Sequence, residues 1–325
     1  MYRNIFVLVS LVVMAALVLS ACGGPADTVS AAQGEEALSG TITISGAFAL
    51  YPMMTRWAEE FQKLHPAVQF DISAGGAGKG MTDALSGAVD IGMVSRGIKP
   101  EEEAQGAYAI AVTKDAVFPV VNANNPVAAQ ILAQGISQQT FVDIYITGQI
   151  KTWGQVVGRP EITDEIHLYT RADACGAAEM WAKFTGNKKQ EDLLGIGVNG
   201  DPGVLEAVLK DPLGMGYNNL GYVFDLASGQ AVKGALIVPI DLNQDGKADD
   251  GERIETLPEA MQAVAEGKYP SPPARLLYVV TKNKPVGIVQ AFIEWILTDG
   301  QAFVGEAGYV QLTTEQLKES LQRLR

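Results

Sequence analysis

Residues 41–66 read TITISGAFALYPMMTRWAEEFQKLHP, and the order of signals in this stretch decides the fold class. Thr41 to Ser45 is rich in β-branched residues, and Gly46 then breaks the run. Pro52 follows at a position that the first turn of a helix tolerates. Apolar residues then recur with helical spacing on one face: Met53, Met54, Trp57, Phe61 and Leu64. The stretch therefore predicts a strand, a tight turn and an amphipathic helix.

The same alternation continues along the chain. Val68 to Ile72 has the composition of a strand, and a glycine-rich turn follows at Gly75 to Gly80. A short helix is predicted through Leu85, and Ala88 to Val94 is predicted to be the next strand. Strands that alternate with helices in this way are typical of an α/β protein.

Two apolar strands, Ala116 to Asn122 and Arg275 to Thr281, each end at a break marked by proline. Such strands are natural points for the chain to cross between two lobes. We expect residues 41–120 and 271–325 to form one lobe and residues 121–270 to form the other. An amphipathic helix is predicted near the C-terminus, from Val286 to Leu297, with a buried side made of Ile288, Val289, Phe292, Ile293 and Ile296.

The charge balance excludes some partners. The 325 residues include 24 Lys and Arg against 37 Asp and Glu, which gives a formal net charge of -13. Nucleic acids and anionic membrane surfaces both require clustered basic residues, so neither is an expected partner. A small anionic ligand is not excluded, because surface charges are screened within about 8 Å at physiological salt and oriented N–H groups set the potential inside a cleft.

Residues 1–21 are predicted to be a lipoprotein signal peptide. Arg3 is the only charged residue in this segment, and its apolar run is too short to span a bilayer. The segment ends in Leu19-Ser20-Ala21-Cys22, which resembles the bacterial lipobox, so Cys22 is expected to carry lipid. A cleaved signal with an incidental cysteine is the alternative. Residues 22–40 are expected to be a flexible tether, which predicts a protein held at the membrane by lipid and located outside the cytoplasmic membrane, in the periplasm or at the cell surface.

Three loops have the pattern of an anion site, in which a strand and a turn of small residues lead into a helix. They are residues 45–49, 75–80 and 171–178. Helix N-termini present unpaired N–H groups, and glycine lets an anion approach the backbone. Ordinary glycine turns are the alternative, because α/β proteins contain many of them. Arg171 distinguishes the third loop, since Asp173 is placed to hold its guanidinium in a fixed orientation.

The segment from Ser45 to Pro66 is similar to the start of the phosphate-binding proteins of bacterial phosphate ABC importers. Further similar segments follow in order over nearly the whole chain after the signal: Val89 to Arg96, Tyr145 to Gly148, Lys151 to Trp153, Arg171 to Asp173, Gly216 to Tyr222, and the C-terminal RLLYVVTKNKP and WILTDGQAFVGEAGYVQL. The resemblance implies a two-lobed type II periplasmic-binding-protein fold, each lobe having a central mixed sheet flanked by helices. It also implies a monomer, not an enzyme, that clamps a small anion, phosphate in the first place, and delivers it to an ABC permease.

Most hydroxyl side chains that the family uses to bind its ligand are absent from this chain. Alanine or phenylalanine replaces them at residues 47–49, alanine does so at Ala77 and Ala177, and Cys175 stands where the family has serine. After the third strand the chain has Arg96, as some branches of the family do. Each unmade hydrogen bond to a charged group costs about 1.5–3 kcal/mol, so phosphate binding is expected to be weakened unless other groups substitute. The resemblance implies these ligand-binding residues: Ser45, Ala47, Phe48, Ala49, Gly76, Ala77, Gly78, Ser95, Arg96, Arg171, Asp173, Cys175, Gly176 and Ala177.

Cys175 is open to three interpretations. The start of a helix and the nearby Arg171 both lower the pKa of a thiol, so we expect a thiolate. It would then contact a thiophilic or partly apolar ligand together with Phe48, or act as the nucleophile of an enzyme. The third interpretation is a small residue that replaces serine in size only. The enzyme has little support, because neither His65 nor His167 lies in a loop expected to face Cys175.

Residues 241–252 read DLNQDGKADDGE and match the calcium-loop pattern D-x-[DN]-x-[DN]-G-x5-E at every fixed position. Gly246 allows the sharp turn that such a loop requires. The predicted ligands are the side chains of Asp241, Asn243 and Asp245, the carbonyl of Lys247, Asp249 directly or through water, and a bidentate Glu252. We predict a structural calcium site, and an acidic surface hairpin is the alternative. A calcium-dependent adhesin would need repeated loops of this kind, and the sequence has one.

Overall fold

The computed structural model describes residues 38–325 as alternating strands and helices. Strands β1 to β11 are Gly40–Gly46, Val68–Ala74, Ile91–Val94, Ala107–Asn122, Ile136–Ser137, His167–Arg171, Ile196–Val198, Gly214–Asn219, Ala235–Ile237, Ile240–Asp241 and Ala274–Lys282. Helices α1 to α13 are Tyr51–Leu64, Ala77–Ser86, Pro100–Ala104, Ala128–Gln134, Gln138–Tyr145, Trp153–Val156, Gly176–Phe184, Gly200–Lys210, Leu220–Val223, Leu257–Ala265, Gly287–Leu297, Ala302–Glu306 and Thr314–Leu324. Short 3-10 helices lie at Phe48–Leu50, Gln190–Asp192 and Asp299–Gln301.

Nine of these strands form one sheet in the order β2-β1-β3-β11-β4-β8-β6-β7, with β9 paired to β4. β1 is parallel to β2 and β3, whereas β11 is antiparallel to β3 and β4. The long strand β4 connects the two halves, because residues 107–116 pair with β11 and residues 117–121 pair with β8. Beyond β8 the sheet is parallel again through β6 and β7. The predicted α/β fold with mixed sheets is therefore confirmed.

Helix α1 forms where residues 41–66 predict it. Met53, Met54, Trp57 and Phe61 are buried on one face, and the indole N–H of Trp57 donates to the carbonyl of Gly300 at 2.8 Å. The prediction was wrong for Leu64, which is 60% exposed. Leu64 is the last residue of the helix, so it lies beyond the stripe that the core covers.

Two predicted boundaries differ from the structure for local reasons, and a local signal also divides one apolar run. Residues 235–240 form β9 and β10 rather than one strand, because Pro239 lacks the N–H that a continuous strand would need. The strand predicted from Ala88 begins at Ile91, since the N–H groups of Ala88 and Val89 donate to the carbonyl of Asp83 at the end of α2. Helix α11 begins at Gly287, and Ile288 and Val289 at its start are only half-buried.

The buried apolar side chains form two cores. The first core comes from residues 42–112 and 277–324, and the second core comes from residues 116–274 together with Val310. Strands β4 and β11 each contribute to both cores. The exact bounds of the two lobes, 41–120 with 271–325 and 121–270, stay a prediction.

Among residues 38–325, no helix is both long enough and apolar enough to cross a membrane. The predicted signal peptide, Cys22 and nearly all of the predicted tether lie outside the described residues. The tether was predicted to run to Gly40, but that residue already belongs to β1, because its N–H donates to the carbonyl of Ala67 at 3.2 Å.

Candidate functional site

The first predicted anion loop touches the third one through an aromatic ring. Phe48 follows β1 and starts a 3-10 helix, and its ring centroid lies 5.2 Å from the guanidinium carbon of Arg171. The hydroxyl of Tyr222 donates to the carbonyl of Phe48 at 3.1 Å. A Cβ atom at Gly200 would lie 3.0 Å from the same ring, so a larger residue at that position would displace it. The first loop thus contacts the third loop directly at Arg171.

The second anion loop meets the third through glycines. The N–H of Gly78, in the first turn of α2, donates to the carbonyl of Ala174 at 3.0 Å. Gly76 precedes that helix with φ of 90°, and a Cβ atom there would lie 2.6 Å from the same carbonyl oxygen. Any other residue would therefore both strain the backbone and separate the loops. This approach explains why the turn is rich in glycine.

A third contact lies between the end of β3 and the start of α7. A Cβ atom at Gly176 would lie only 2.1 Å from the carbonyl oxygen of Ser95. Ser95 is 2% exposed, and the same carbonyl accepts the Nε–H of Arg275 at 3.3 Å. Three predicted loops and Ser95 are thus brought together, as the resemblance implies.

Arg171 is the cation at this meeting point. Its Nε and Nη2 atoms donate to the two carboxylate oxygens of Asp173 at 2.8 and 2.6 Å, the fixed fork that the spacing predicts. Nη1 donates to Asp201, which is fully buried. Burial disfavours the charged guanidinium, but Asp201 and Asp173 outweigh it, so the pKa of Arg171 lies above its usual value. Arg171 therefore stays charged at any physiological pH.

A buried polar network extends from Asp201 to the strands that join the two cores. Oδ1 of Asp201 accepts from the side chain of Asn219 at 2.6 Å, and the side-chain oxygen Oδ1 of Asn219 accepts from Arg275. Arg275 lies 3.3 Å from Oδ2 of Asp115, close enough for an ion pair but not aligned for a hydrogen bond. Burial raises the pKa of Asp115 to about 6, although Arg275 opposes the shift. The network links Arg171 to β4 and β11 through side chains alone.

Backbone amides are further potential donors on the three loops. Several are already used, since Ala47 donates to Met93 and Gly76 donates to Gly46, at 2.9 and 3.0 Å. Five others have no protein acceptor within residues 38–325, and all lie in the first turn of a helix: Phe48, Ala49, Ala77, Gly176 and Ala177. Unpaired amides at helix N-termini attract anions.

Two predicted ligand side chains are occupied by neighbouring carboxylates. The hydroxyl of Ser45 donates to Asp83 at 2.6 Å. Arg96 donates to both carboxylate oxygens of Glu102, at 2.9 and 2.6 Å, and lies 3.3 Å from Glu179. The alanines that replace the family's hydroxyl residues (Ala47, Ala49, Ala77 and Ala177) are all buried.

The expected thiolate at Cys175 is contradicted by the structure. Burial raises the pKa of this thiol to about 12, and the opposing influence of Arg171 is too small to prevent it. Its Sγ atom accepts the N–H of Ala178 at 3.4 Å, so the side chain caps α7 as a serine would. Proximity to a helix start and an arginine was visible in the sequence, but the degree of burial was not.

The predicted calcium ligands lie together on one surface loop between β10 and α10. Asp241 is buried, whereas Asn243, Asp245, Lys247 and Asp249 are exposed and Glu252 is half-buried. Within residues 38–325, no three His, Cys, Asp or Glu side chains converge as a metal cluster. The loop lies in the second core's half of the chain and shares no residue with the network around Arg171.

Sequence reasoning missed five residues of this site: Asp115, Asp201, Asn219, Tyr222 and Arg275. Two of them carried a usable signal, because Asp115 and Arg275 are charged residues within apolar strands. A charge in a buried strand requires a partner, but the sequence does not say which residue supplies it.

Comparisons with known proteins agree with this fold. A family model described as a PBP superfamily domain matches residues 31–300. The phosphate-binding proteins PstS of Bacillus subtilis and Pseudomonas aeruginosa are each 28% identical to this chain, covering 96% of it and 96% and 98% of their own lengths.

Solved structures show the same fold. A Clostridium perfringens protein assigned as a phosphate ABC transporter substrate-binding protein, crystallised with phosphate, matches with a TM-score of 0.69 and 23% identity over 84% of this chain and all of its own. An ABC-type phosphate transport receptor from Vibrio cholerae matches with a TM-score of 0.60 and 20% identity over 83% of this chain and all of its own.

Proposed function

Because this chain belongs to the PBP superfamily, we propose that it is an extracytoplasmic solute-binding protein of an ABC importer. Its ligand is phosphate or a related small oxyanion, held where the first and second cores meet. Relatives that match along nearly their whole lengths are named as phosphate-binding proteins, which supports a ligand of this chemical class. The permease that would receive the ligand is a partner in the membrane.

The arrangement around Arg171 carries the proposal. Five first-turn amides from three helices, with no protein acceptor in the described chain, occur on the loops that meet at this buried guanidinium. Oriented backbone N–H groups beside a fixed, charged arginine recognise an oxyanion without a positive net charge on the protein. This explains how a protein with a net charge of -13 could still bind an anion.

The missing hydroxyl groups set the expected affinity. Ala77 and Ala177 offer a methyl group where the family offers a hydroxyl, and the hydroxyl of Ser45 is bonded to Asp83. Each missing bond to a charged ligand costs about 1.5–3 kcal/mol, or roughly tenfold or more in affinity. Phosphate is therefore expected to bind more weakly than the hydroxyl-rich form of the site would allow.

A thermal-shift titration with phosphate, arsenate and sulfate tests the proposal. The parent protein should be stabilised by at least one of these anions, and Arg171→Ala should lose the effect. Arg171→Lys keeps the positive charge but not the planar guanidinium, and it replaces the alanine variant in this test if that variant does not fold. Arg159→Ala is the matched control, because Arg159 forms an exposed pair with Glu161. If Arg171→Ala and Arg171→Lys respond to the anions as the parent does, the proposal is wrong.

One observation favours a second candidate, a bulkier anion. A cavity of about 770 Å³ lies beside the loops, between α7 and the segment that follows β3. Five basic and two acidic residues line it: Arg96, Lys99, Lys183, Lys188, Lys189, Glu179 and Glu191. Cys175 also lines this cavity, so a partly apolar ligand stays an alternative, whereas a thiophilic one loses the support of a thiolate. Native mass spectrometry of the purified protein would detect such a solute, and stabilisation by phosphate alone would contradict this candidate.

The histidines support a binding role rather than catalysis at Cys175. The imidazole of His167 pairs with Asp211 at 2.7 Å, and the ring of His65 packs on Phe61 with centroids 4.5 Å apart. In the described chain neither histidine hydrogen-bonds to Cys175, whose Sγ atom accepts from Ala178 instead, and a buried thiol with a raised pKa is a poor nucleophile.

Attachment by lipid at Cys22 belongs to the same proposal. It rests on the Leu-Ser-Ala-Cys sequence after an apolar run that is too short to span a bilayer. Mass spectrometry of the membrane fraction should find an N-terminal peptide that begins with diacylated Cys22, and Cys22→Ser should release the protein. An N-terminal peptide that begins at another residue contradicts the anchor.

A further inference from the structure

The segment 241–252 concentrates negative charge that the protein does not neutralise. It contains five acidic residues and one basic residue, Lys247. Among residues 38–325, none of these five carboxylates forms an ion pair with Lys, Arg or His. Neighbouring carboxylates repel one another, and no Lys, Arg or His side chain of the described residues offsets this repulsion by pairing with them.

Among the acidic side chains of this segment, the carboxylate of Asp241 is the one that is buried. Asp241 is the last residue of β10 and is only 6% exposed. Its Oδ2 atom accepts the N–H of Gly246 at 3.1 Å, so the carboxylate points into the loop. Its Oδ1 atom is buried and has no hydrogen-bond partner. A buried carboxylate oxygen without a partner costs free energy unless a bound ion or water satisfies it.

We propose that residues 241–252 bind a Ca²⁺ ion and that Oδ1 of Asp241 is one of its ligands. The other ligands are the side chains of Asn243, Asp245 and Glu252, the carbonyl of Lys247, and Asp249 directly or through water. All are oxygen atoms, which Ca²⁺ and Mg²⁺ prefer and Zn²⁺ does not require. Three of these ligands are acidic side chains that residues 38–325 do not hold together as a metal cluster, so the ion must draw Asp241, Asp245 and Glu252 closer to one another when it binds.

Hydrogen bonds inside the loop hold the ligands in order. Oδ1 of Asn243 accepts from the N–H of Asp245 at 3.0 Å, and Oδ1 of Asp245 accepts from that of Lys247 at 2.9 Å. The carboxylate of Glu252 accepts from the N–H groups of Leu242 and Asp249 at 2.6 and 3.1 Å. The last residue of the segment is thus already folded back over its start, where a bidentate ligand is needed.

The position of the loop predicts a structural role. β10 pairs in parallel with β5, so that Asp241 is in register with Ser137, the residue that caps α5. The N–H of Ala248 donates to the carbonyl of Ala133 at 2.9 Å, and Ala248 itself is buried. An ion in the loop would fasten β10 to the connection between α4 and α5 and so stabilise the second core. This inference is independent of the proposed anion site.

Calorimetry and thermal melting of the full chain, first treated with EDTA and then held in phosphate-free buffer, test the inference. CaCl₂ should bind with a Kd at or below about 1 mM, as in other extracellular calcium modules. At several millimolar it should raise Tm by about 2–5 °C, whereas MgCl₂ should do so far less, because Mg²⁺ demands octahedral geometry.

Two variants that each remove one negative charge distinguish a calcium site from a surface that is acidic but binds no ion specifically. Asp241→Asn replaces the buried carboxylate ligand with a neutral amide and should weaken Ca²⁺ binding at least tenfold. Asp250→Asn removes the same charge from an exposed residue outside the ligand set and should leave Kd within about twofold of the parent. If Asp241→Asn does not fold by circular dichroism, Glu252→Gln tests the opposite end of the loop. The inference is wrong if the parent shows neither heat nor a Tm shift, if Mg²⁺ acts equally, or if Asp250→Asn loses as much affinity as Asp241→Asn.

Discussion

Arg171 and Asp201 form an ion pair in which each side chain is 1% exposed. The two residues come from the end of β6 and the start of α8, and Asp173 occupies the other edge of the same guanidinium. The cation at the proposed anion site is therefore already held by two carboxylates. An anion there would be recognised by the orientation of its donors and not by excess positive charge.

Loss of Arg171 should destabilise the protein whether or not phosphate is present. Arg171→Ala leaves Asp201 and Asp173 without their cation, and removal of one partner from a buried pair costs about 3–5 kcal/mol. Arg159→Ala, at an exposed pair, should cost at most about 1 kcal/mol. Urea denaturation of both variants measures the difference. Equal stability would show that breaking the buried network costs no more free energy than losing an exposed ion pair.

The buried carboxyl of Asp115 should make stability depend on pH. Its pKa is raised from the usual 3.8 to about 6, so the folded state holds the proton more tightly than the unfolded chain. The resulting stabilisation is fully present below about pH 4 and is lost as the pH rises through about 6, by up to about 3 kcal/mol.

Asp115→Asn removes this titration, so the free energy of unfolding of the variant should rise relative to the parent between about pH 4 and pH 7. Urea denaturation at several pH values measures it. A difference that stays constant with pH would mean that the Arg275 ion pair already holds the pKa of Asp115 near its usual value.

Cys175 should react slowly in the native protein. In a Cys22→Ser protein it is the only thiol, and it is buried with a pKa of about 12. Alkylation by iodoacetamide at about pH 8 should be at least about a hundredfold slower in buffer than in urea, because the thiolate is scarce and covered. Mass spectrometry follows the modification. Fast labelling without urea would restore the interpretation of Cys175 as a reactive group.

Gly176 should not tolerate a side chain. A Cβ atom there would meet the carbonyl of Ser95 at 2.1 Å, so Gly176→Ala must displace α7 from β3. A destabilisation of about 1–3 kcal/mol is expected from such overpacking. Gly305→Ala is the matched control. Gly305 lies within α12, and a Cβ atom there would have no atom within 4 Å, so alanine should be neutral or slightly stabilising. Thermal melts of both variants compare the two positions.

A hydroxyl restored at the second loop should strengthen phosphate binding. Ala77 is the first residue of α2 and is fully buried, and serine there adds one donor to the proposed anion site. One charge-assisted hydrogen bond contributes about 1.5–3 kcal/mol, so Ala77→Ser should tighten binding roughly tenfold. Ala128→Ser changes the first residue of α4, which belongs to none of the three loops, and should have no effect. Calorimetry with phosphate distinguishes the two variants, and equal affinities would place Ala77 outside the site.

The sequence by itself determined the features that depend on neighbours within a few residues. Strand and helix alternation follows from apolar periodicity, and the fork between Arg171 and Asp173 follows from their spacing within one loop. The order of the proposed calcium ligands in segment 241–252 is read from spacing in the same way. The division between β9 and β10 at Pro239 is a local signal of the same range.

Only the tertiary structure decided which distant groups share a buried space. Asp115, Asp201, Asn219 and Arg275 come from four separate segments, yet they form one network with Arg171. The same cause turned Ser45 toward Asp83 and raised the pKa of Cys175 instead of lowering it. Burial and charge pairing depend on the packing of chain segments far apart in sequence, so the chemical state of a site residue is set only when those segments meet.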